Sequence, residues 1–238
     1  MKAYKNQEFL MSPEARLVRI LSEYLEPKAR FEKLGVHNAL IFFGSARIQP
    51  GMPATPDGLD YYDMARQLAR RMARWTTEAH QGENRFYICT GGGPGIMEAA
   101  NRGAAEENPA LSMGLNISLP FEQDSNAHIS QQLDLEFHYF FLRKFWFLNL
   151  ARGLVIFPGG FGTMDELFEV LTLIQTGKKE RIPVLLFGRK FWQRLISFDL
   201  FIEQGLISPE DLRLLHITDD LDDAFKYLTQ RLQGSRPQ

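Results

Sequence analysis

The sequence predicts an α/β fold in which helices cover both faces of a doubly wound parallel sheet. Along the 238 residues, short continuous apolar runs alternate with amphipathic segments. Such runs are typical of strands that are buried on both faces of a parallel sheet. Three of them end in glycine-bearing turns, and the carboxyl ends of parallel strands share one edge, where ligands bind. We therefore expect the functional site at that edge.

The elements can be assigned in order from their patterns. An N-terminal helical segment covers residues 12–34, with Ser12 predicted as the N-cap and Pro13 as the first helical residue. Strands are predicted at residues 39–43, 86–89, 114–119, 136–141, 154–157, 183–187 and 212–217. Helices are predicted at residues 61–75, 96–107, 143–152, 163–176, 191–204 and 221–232. The resulting division is an N-terminal helical extension, residues 1–34, and one domain, residues 35–238.

Composition excludes several classes of protein. The 27 basic and 29 acidic residues give a formal charge of −2, which argues against a general nucleic-acid binder. The single cysteine, Cys89, excludes an internal disulfide framework and favours a reducing compartment. No apolar run approaches the ~20 residues of a membrane span, and the first residues do not resemble a signal peptide. We expect a cytoplasmic protein that acts on neither nucleic acid nor membrane.

The three glycine turns are the strongest candidates for a binding site. They are Gly44-Ser45, Gly91 to Gly95, and Gly159 to Thr163. A glycine-rich turn that leads into a helix presents backbone N–H groups at the positive end of the helix dipole, which suits a phosphate group. Neither the dinucleotide fingerprint nor the P-loop pattern is matched. The residues therefore indicate a ligand with one phosphate group, with a ligand-free connection as the alternative for each turn.

A few side chains near these turns could carry chemistry. Thr163 and Glu166 form a T-x-x-E pattern, which predicts either a capping box or a hydroxyl and a carboxylate in the site. Arg143-Lys144 opens a predicted helix, where the pair either faces solvent or binds an anion. Glu98 either lines the site or complements the dipole of its helix. The histidines lack metal-ligand spacing, so we expect no metal and no cofactor.

The segment that begins at Pro158 resembles a family motif. Pro158-Gly159-Gly160-Phe161-Gly162-Thr163-Met164-Asp165-Glu166 is similar to the P-G-G-x-G-T-x-x-E motif of the Lonely-guy (LOG) family of cytokinin-activating phosphoribohydrolases, long mislabelled as lysine decarboxylases. The turn from Gly91 to Gly95, Gly44-Ser45, and the Arg143-Lys144 pair resemble the family's other motifs, in the same order. The resemblance extends over residues 39–188.

The resemblance implies a Rossmann-like fold, a homodimer, and hydrolysis of a nucleoside 5′-monophosphate to a free base and ribose 5-phosphate. It implies Arg143 and Glu166 as catalytic residues. With the glycine turns, the predicted substrate-binding residues are Gly44, Ser45, Gly91, Gly92, Gly93, Gly95, Glu98, Lys144, Gly159, Gly160, Gly162 and Thr163. The resemblance does not specify the base, which is a prenylated adenine, adenine or another base. The alternative is a non-enzymatic carrier of a phosphorylated molecule such as the molybdenum cofactor, whose carriers resemble this family in fold.

The aromatic-rich segment 137–147 bears on the oligomeric state. It contains Phe137, Tyr139, Phe140, Phe141, Phe145, Trp146 and Phe147. This is more aromatic bulk than one helix face usually buries within a monomer. The segment therefore predicts either a dimer interface or a part of the core.

Overall fold

A parallel sheet organises the protein. The computed structural model describes residues 1–52, 58–119 and 124–233, and within these ranges seven strands form a single sheet. The strands are β1 (Asn38–Phe43), β2 (Phe86–Thr90), β3 (Ser112–Ile117), β4 (Asp134–Phe137), β5 (Ala151–Ile156), β6 (Val184–Phe187) and β7 (Leu215–Thr218). Every pairing is parallel and the order is β4-β3-β2-β1-β5-β6-β7. The order reverses between β1 and β5, so the predicted doubly wound sheet is confirmed.

Helices cover both faces of this sheet. They are α1 (Gln7–Met11), α2 (Arg16–Leu34), α3 (Tyr61–Ala79), α4 (Ile96–Glu107), α5 (Phe140–Leu150), α6 (Phe161–Gln175), α7 (Arg189–Leu195), α8 (Phe198–Glu203), α9 (Pro209–Leu212) and α10 (Leu221–Leu232). The buried apolar side chains of α5 and α6 and Phe31 of α2 belong to one core cluster, and the buried apolar side chains of α3, α4 and α10 belong to another. Each cluster occupies one face of the sheet.

Strand β1 shows why the apolar runs are continuous rather than alternating. Its residues Ala39, Ile41 and Phe43 belong to the core cluster shared with α5 and α6. The intervening Leu40 and Phe42 belong to the cluster shared with α3 and α4. Successive side chains of a strand point to opposite faces, so a strand between two helical layers needs an apolar residue at every position.

The predicted bounds of the strand and the helix that precede β5 are wrong. The predicted strand 136–141 ends at Phe137, and the predicted helix 143–152 begins at Phe140 and ends at Leu150. Residues Ala151 and Arg152 start β5 instead. Arg143 therefore lies in the first turn of α5 but does not open it. The aromatic side chains at 140 and 141 have strand propensity, which explains the shift of the predicted boundary.

Two further predictions fail in the C-terminal third. The predicted helix 191–204 consists of α7 and α8, separated at Ile196, which has extended backbone angles. The predicted strand 212–217 begins only at Leu215, because Ser208 and Asp211 form a capping box that starts the short helix α9. By contrast, α4 and α10 have the predicted bounds.

The N-terminal helix packs onto the rest of the chain. A 3₁₀ turn over Pro13–Ala15 precedes α2, and the Ser12 hydroxyl donates to the Phe9 carbonyl at 2.7 Å rather than capping the helix. Phe31 of α2 is buried in a core cluster. The domain division at residue 34 stays a prediction, and part of the loop 49–58 lies outside the described residues. Within the described ranges, no helix has both the length and the apolar character of a membrane span.

Candidate active site

The turns after β1, β2 and β5 meet at one cleft, as expected for parallel strands. The Ser45 N–H donates to the Pro158 carbonyl at 3.0 Å, and the Ile96 N–H donates to the Ser45 carbonyl at 3.1 Å. Ser45 thus connects the turns that lead into α4 and α6. The cleft between them has a volume of about 690 Å³. It lies beside the switch point of the sheet, where ligands bind in this class of fold.

The amino end of α6 forms one wall of the cleft. The first intrahelical bond runs from the Met164 N–H to the Gly160 carbonyl at 3.1 Å. The N–H groups of Phe161, Gly162 and Thr163 therefore have no partner within the helix, as at any helix start. All three residues line the cleft. Together with the positive end of the helix dipole, they make a site for an anion.

The capping-box interpretation of Thr163 and Glu166 is wrong. The N-cap of α6 is Gly160, and no side chain caps the helix. Thr163 and Glu166 lie one turn apart inside the helix, three residues from each other, so both face the same side. Each is buried and each lines the cleft. The sequence pattern misled because the helix begins before Thr163: its N-cap is Gly160 and its first residue is Phe161, so Thr163 is the third helical residue.

The glycines of this turn serve two different needs. A side chain at Gly159 would meet the Thr163 hydroxyl at 2.1 Å, so glycine there lets Thr163 fold back over the turn. At Gly160 and Gly162, a methyl group would meet no atom of the described residues within 4 Å. The protein leaves open space at these two positions, which both line the cleft. A ligand can thus approach the backbone of the turn closely.

Glu166 is a buried carboxyl group with unusual titration. The residue as a whole is 5% exposed. Burial raises the pKa of Glu166 to about 7; the charges of Lys144 and Arg143 oppose this shift, while Glu169 and Asp165 add to it. The carboxyl group therefore exchanges its proton near neutral pH, which is the property of an effective general acid or base.

Lys144 faces the carboxylates of α6. Its Nζ lies 2.7 Å from Glu169, 2.9 Å from Asp165 and 3.6 Å from Glu166. Burial alone would lower the pKa of Lys144, but hydrogen bonds to Glu169 and Asp165 outweigh it and raise the pKa. Lys144 does not line the cleft as the described residues form it. It fixes α5 to α6 beside Glu166.

Arg143 lies inside the cleft with part of its hydrogen-bonding capacity free. Its guanidinium lies over the rings of Phe140 and Phe147, with its central carbon 5.1 and 5.7 Å from the ring centroids. Burial lowers the pKa of Arg143, and the charges of Glu166 and Asp165 partly restore it. Its Nε is buried and has no hydrogen-bond partner among the described residues. Because Arg143 also lines the cleft, its guanidinium can donate to an oxygen of a ligand bound there.

A buried amide network fixes the turn after β2. The Asn101 amide accepts from the Thr90 hydroxyl and from Asn126 Nδ2 at 3.0 Å. Asn126 Nδ2 also donates to the Gly92 and Gly93 carbonyls at 3.0 and 3.2 Å. Gly92 has a φ of 73°, and a side chain there would meet Asn116 Oδ1 at 1.7 Å. Only glycine fits this position, so Gly92 shapes the turn.

The structure brings most of the predicted site residues to the cleft. Those that line it are Gly44, Ser45, Gly91, Gly93, Arg143, Gly160, Gly162, Thr163 and Glu166. Gly92, Gly95, Lys144 and Gly159 do not line the cleft as the described residues form it, although they belong to the turns and to the helix α5 that contribute lining residues. Glu98 points elsewhere, because its carboxylate accepts a hydrogen bond from the Tyr62 hydroxyl on α3 at 3.2 Å.

Sequence reasoning missed several residues that line the cleft. These are Arg47, Met97, Asn116, Asp124, Phe140 and Phe161, together with apolar neighbours. Arg47 lies two residues after a predicted glycine turn, so its position was a usable signal. Asn116 reaches the cleft from β3, where its Nδ2 donates to Asp134 at 2.6 Å. No local pattern distinguishes such an asparagine. In the described residues, no group of three or more metal-binding side chains is arranged around an ion site.

The fold and the position of the cleft define a Rossmann-like α/β protein with a cleft at the switch point of its sheet. Residues 97–228 match the family model described as "Possible lysine decarboxylase". This match covers more than half of the chain, so the protein belongs to that family, and the predicted resemblance to LOG proteins is confirmed. The X-ray structure of TM1055, a structural genomics target, supports the fold. It has a TM-score of 0.53 and 18% identity over 81% of this chain and 99% of that one.

Two curated relatives each match part of the chain. A pyrimidine/purine nucleotide 5′-monophosphate nucleosidase of Escherichia coli strain K12 is 31% identical over 121 residues, 46% of this chain and 26% of the relative. The cytokinin riboside 5′-monophosphate phosphoribohydrolase LOG1 of Arabidopsis thaliana is 41% identical over 68 residues, 28% of this chain and 32% of the relative. The matches thus span about a quarter to a third of the length of these relatives.

Proposed function

We propose that this protein hydrolyses the N-glycosidic bond of a nucleoside 5′-monophosphate, releasing the free base and ribose 5-phosphate. One observation carries the proposal: Arg143 and a buried Glu166 with a pKa of about 7 line the same cleft as the free N–H groups of α6. This reaction needs a site for the phosphate anion, a cation that holds the substrate, and an acid or base that exchanges its proton near neutral pH. The names of the two curated relatives, which describe this type of reaction, support the proposal.

The chemistry follows from the groups in the cleft. When the C1′–N bond breaks, its electron pair stays on the base nitrogen and positive charge develops on the ribose, as in other glycoside hydrolyses. The ionised Glu166 carboxylate stabilises that charge and accepts a proton from the water whose oxygen bonds to C1′. The carboxyl group then gives the proton to the departing base or to solvent. Arg143 holds the substrate by donating hydrogen bonds to oxygen atoms of the substrate.

The phosphate group serves to position the substrate. Its contacts with the N–H groups of Gly162 and Thr163 supply binding energy away from the bond that breaks. Binding energy from a remote group can be used to orient the reacting centre, so a substrate without that group loses turnover as well as affinity. Nucleosides should therefore be cleaved far more slowly than their 5′-monophosphates.

A substrate panel tests the proposal. Purified protein is incubated, with a chelator present, with the 5′-monophosphates of adenosine, a prenylated adenosine, guanosine, cytidine and uridine, and with the matching nucleosides. Free base is measured by chromatography and ribose 5-phosphate by an enzymatic assay. We expect equal amounts of the two products from at least one monophosphate and little from its nucleoside. If no monophosphate is cleaved although one binds, the protein is a carrier and the proposal is wrong.

We also propose that the protein is a homodimer. The aromatic segment 137–147 divides into buried residues, including Phe137, Trp146 and Phe147, and exposed ones. The exposed aromatic side chains of α5 and α6 are Phe140, Phe141, Phe145, Phe161 and Phe168, and Phe161 is 96% exposed. Large apolar side chains left exposed in this number are typical of a protein–protein contact. Two of the five, Phe140 and Phe161, line the cleft, so a contact through them would adjoin it.

A further inference from the structure

Arg47, in the turn after β1, is a cation that the proposed mechanism has not used. We propose that Arg47 binds the phosphate group of the substrate and thereby selects nucleoside monophosphates over nucleosides. This assignment rests on the proposed function and names the residue that recognises the charged end of its substrate. Arg47 is exposed and lines the cleft that contains Arg143 and Glu166.

The charges of the cleft leave a role for this arginine. A phosphate monoester has a charge between about −1.5 and −2 at pH 7, whereas the amino end of a helix supplies about half a positive charge. The charge of Arg143 is shared with Glu166 and Asp165, and Lys144 is paired with three carboxylates. Among the described residues, the Arg47 guanidinium has no hydrogen bond, ion pair or ring contact. Arg47 is therefore free to balance the phosphate.

The backbone places Arg47 beside the amino end of α6. Strands β1 and β5 are neighbours, and the Ser45 N–H donates to the Pro158 carbonyl, which immediately precedes the glycines of the α6 turn. The Arg47 N–H in turn donates to the Ser45 hydroxyl at 3.1 Å, which closes the turn after β1. Arg47 thus lies two residues along the chain from Ser45, which is hydrogen-bonded to the turn that leads into α6. Its planar guanidinium can donate two hydrogen bonds to phosphate oxygens.

Ribose 5-phosphate is the probe that tests this role, because it contains the phosphate, lacks a base and has no bond to cleave. Its dissociation constant is measured by calorimetry for the parent protein, Arg47→Ala and Arg47→Lys, alongside adenosine as the uncharged probe. Arg181→Ala is the matched control, because Arg181 is exposed and precedes β6, at the opposite edge of the sheet. Thermal melts confirm that each variant folds.

We expect Arg47→Ala to weaken ribose 5-phosphate binding about 10- to 100-fold, the range for a lost charge-assisted hydrogen bond. Lysine should restore part of this loss, since it keeps the charge without the planar fork. Adenosine binding and the Arg181→Ala control should be unchanged. In turnover assays, Arg47→Ala should raise KM for the monophosphate more than it lowers kcat.

Two results would overturn the assignment. If Arg47→Ala binds ribose 5-phosphate as tightly as the parent, or weakens adenosine equally, Arg47 does not recognise phosphate; base release by the parent would still stand. If the parent binds no ribose 5-phosphate and releases no base from any monophosphate, the proposed function fails and this assignment fails with it. The assay of the parent separates the two cases.

Discussion

Glu166 is a buried carboxyl group that must ionise to act in the proposed mechanism, and ionising it in its buried position has a cost in stability. Its pKa is raised from 4.5 to about 7 in the folded protein, so folding opposes ionisation. At pH values well below 4.5 the group is neutral in both states and there is no penalty. The penalty grows as the pH rises from 4.5 to 7 and is complete above 7.

A neutral isostere should therefore stabilise the protein in a pH-dependent way. We expect the stability of Glu166→Gln relative to the parent to be greater at pH 8 than at pH 5 by about 2 kcal/mol, because glutamine carries no charge to bury. Urea unfolding of both proteins at the two pH values measures the difference. A stability difference that is the same at pH 5 and pH 8 would show that the pKa of Glu166 is not raised by folding.

Gly162 provides a second test at the level of one residue. A methyl group there meets no atom of the described residues within 4 Å, and alanine favours a helix over glycine by up to about 1 kcal/mol. Gly162→Ala should thus preserve or raise the melting temperature, yet weaken ribose 5-phosphate binding about tenfold or more, because the methyl group enters the cleft near the free N–H groups. Unchanged binding, measured by calorimetry, would remove the amino end of α6 from the phosphate site.

The contrast between Glu166 and Lys144 shows what a sequence reveals about single residues. The P-G-G-x-G-T-x-x-E motif was sufficient to place Glu166 near the glycine turn. The Arg-Lys pair did not reveal that its two members face different surroundings: Arg143 lines the cleft, whereas Lys144 binds Asp165 and Glu169. Adjacent helical residues point about 100° apart, so their partners depend on how α5 packs against α6.

At the scale of the elements, α2 is connected through Glu23 to α5, the helix that carries Arg143. The Glu23 carboxylate accepts hydrogen bonds from the N–H groups of His138 and Tyr139 at 2.9 and 3.1 Å. The Trp146 indole donates to the Glu23 carbonyl at 3.3 Å. Since Arg143 lies in the first turn of α5, the N-terminal helix holds the segment that presents this arginine.

Removing the Glu23 carboxylate should therefore affect both stability and turnover. We expect Glu23→Ala to lose about 1 kcal/mol of unfolding free energy, as for a lost helix cap, and to lower kcat because Arg143 is less well held. Urea unfolding and base release measure the two effects. Glu26→Ala is the matched control, since Glu26 pairs with Arg30 on the surface of the same helix and should cost less than about 0.5 kcal/mol. Equal losses of unfolding free energy and of kcat in the two variants would contradict the role of Glu23.

The same contact explains why the start of α5 could not be predicted. Helix starts are recognised in a sequence by a local capping side chain. No side chain of the local sequence caps α5 at its N-cap, Tyr139, and the carboxylate that accepts from Tyr139 comes from a residue 116 positions away. Helix α10, whose Asp220 caps it locally, has the predicted bounds.

For the molecule as a whole, the parallel sheet and the edge that holds the candidate site could be predicted because strands such as β1, β2 and β6 contain continuous apolar runs and three strands end in glycine turns. Neither pattern fixes the strand order. The order depends on long-range packing, such as that of β1 between β2 and β5. The sequence likewise does not reveal which aromatic side chains are exposed. In the structure Phe137 and Phe147 are buried, whereas Phe140 and Phe161 are exposed.

The exposed aromatic side chains predict the mass of the protein in solution. If the exposed aromatic side chains of α5 and α6 form a dimer contact, light scattering at micromolar concentration should give twice the chain mass of 27.4 kDa. Phe141→Glu, at an exposed position outside the cleft, should shift the protein toward the monomer, because a buried charge without a partner disfavours association. A mass of one chain for the parent over the whole concentration range would contradict the dimer.

The central claim is that Glu166 drives cleavage of a glycosidic bond in a substrate held by its phosphate. The most direct test is kcat for base release by Glu166→Gln on a monophosphate that the parent cleaves, with Glu169→Gln as control because Glu169 also contacts Lys144 but does not line the cleft. We expect Glu166→Gln to lower kcat about 10²- to 10³-fold with ribose 5-phosphate binding retained, and Glu169→Gln to change kcat little. A Glu166→Gln variant that turns over as fast as the parent would contradict the claim.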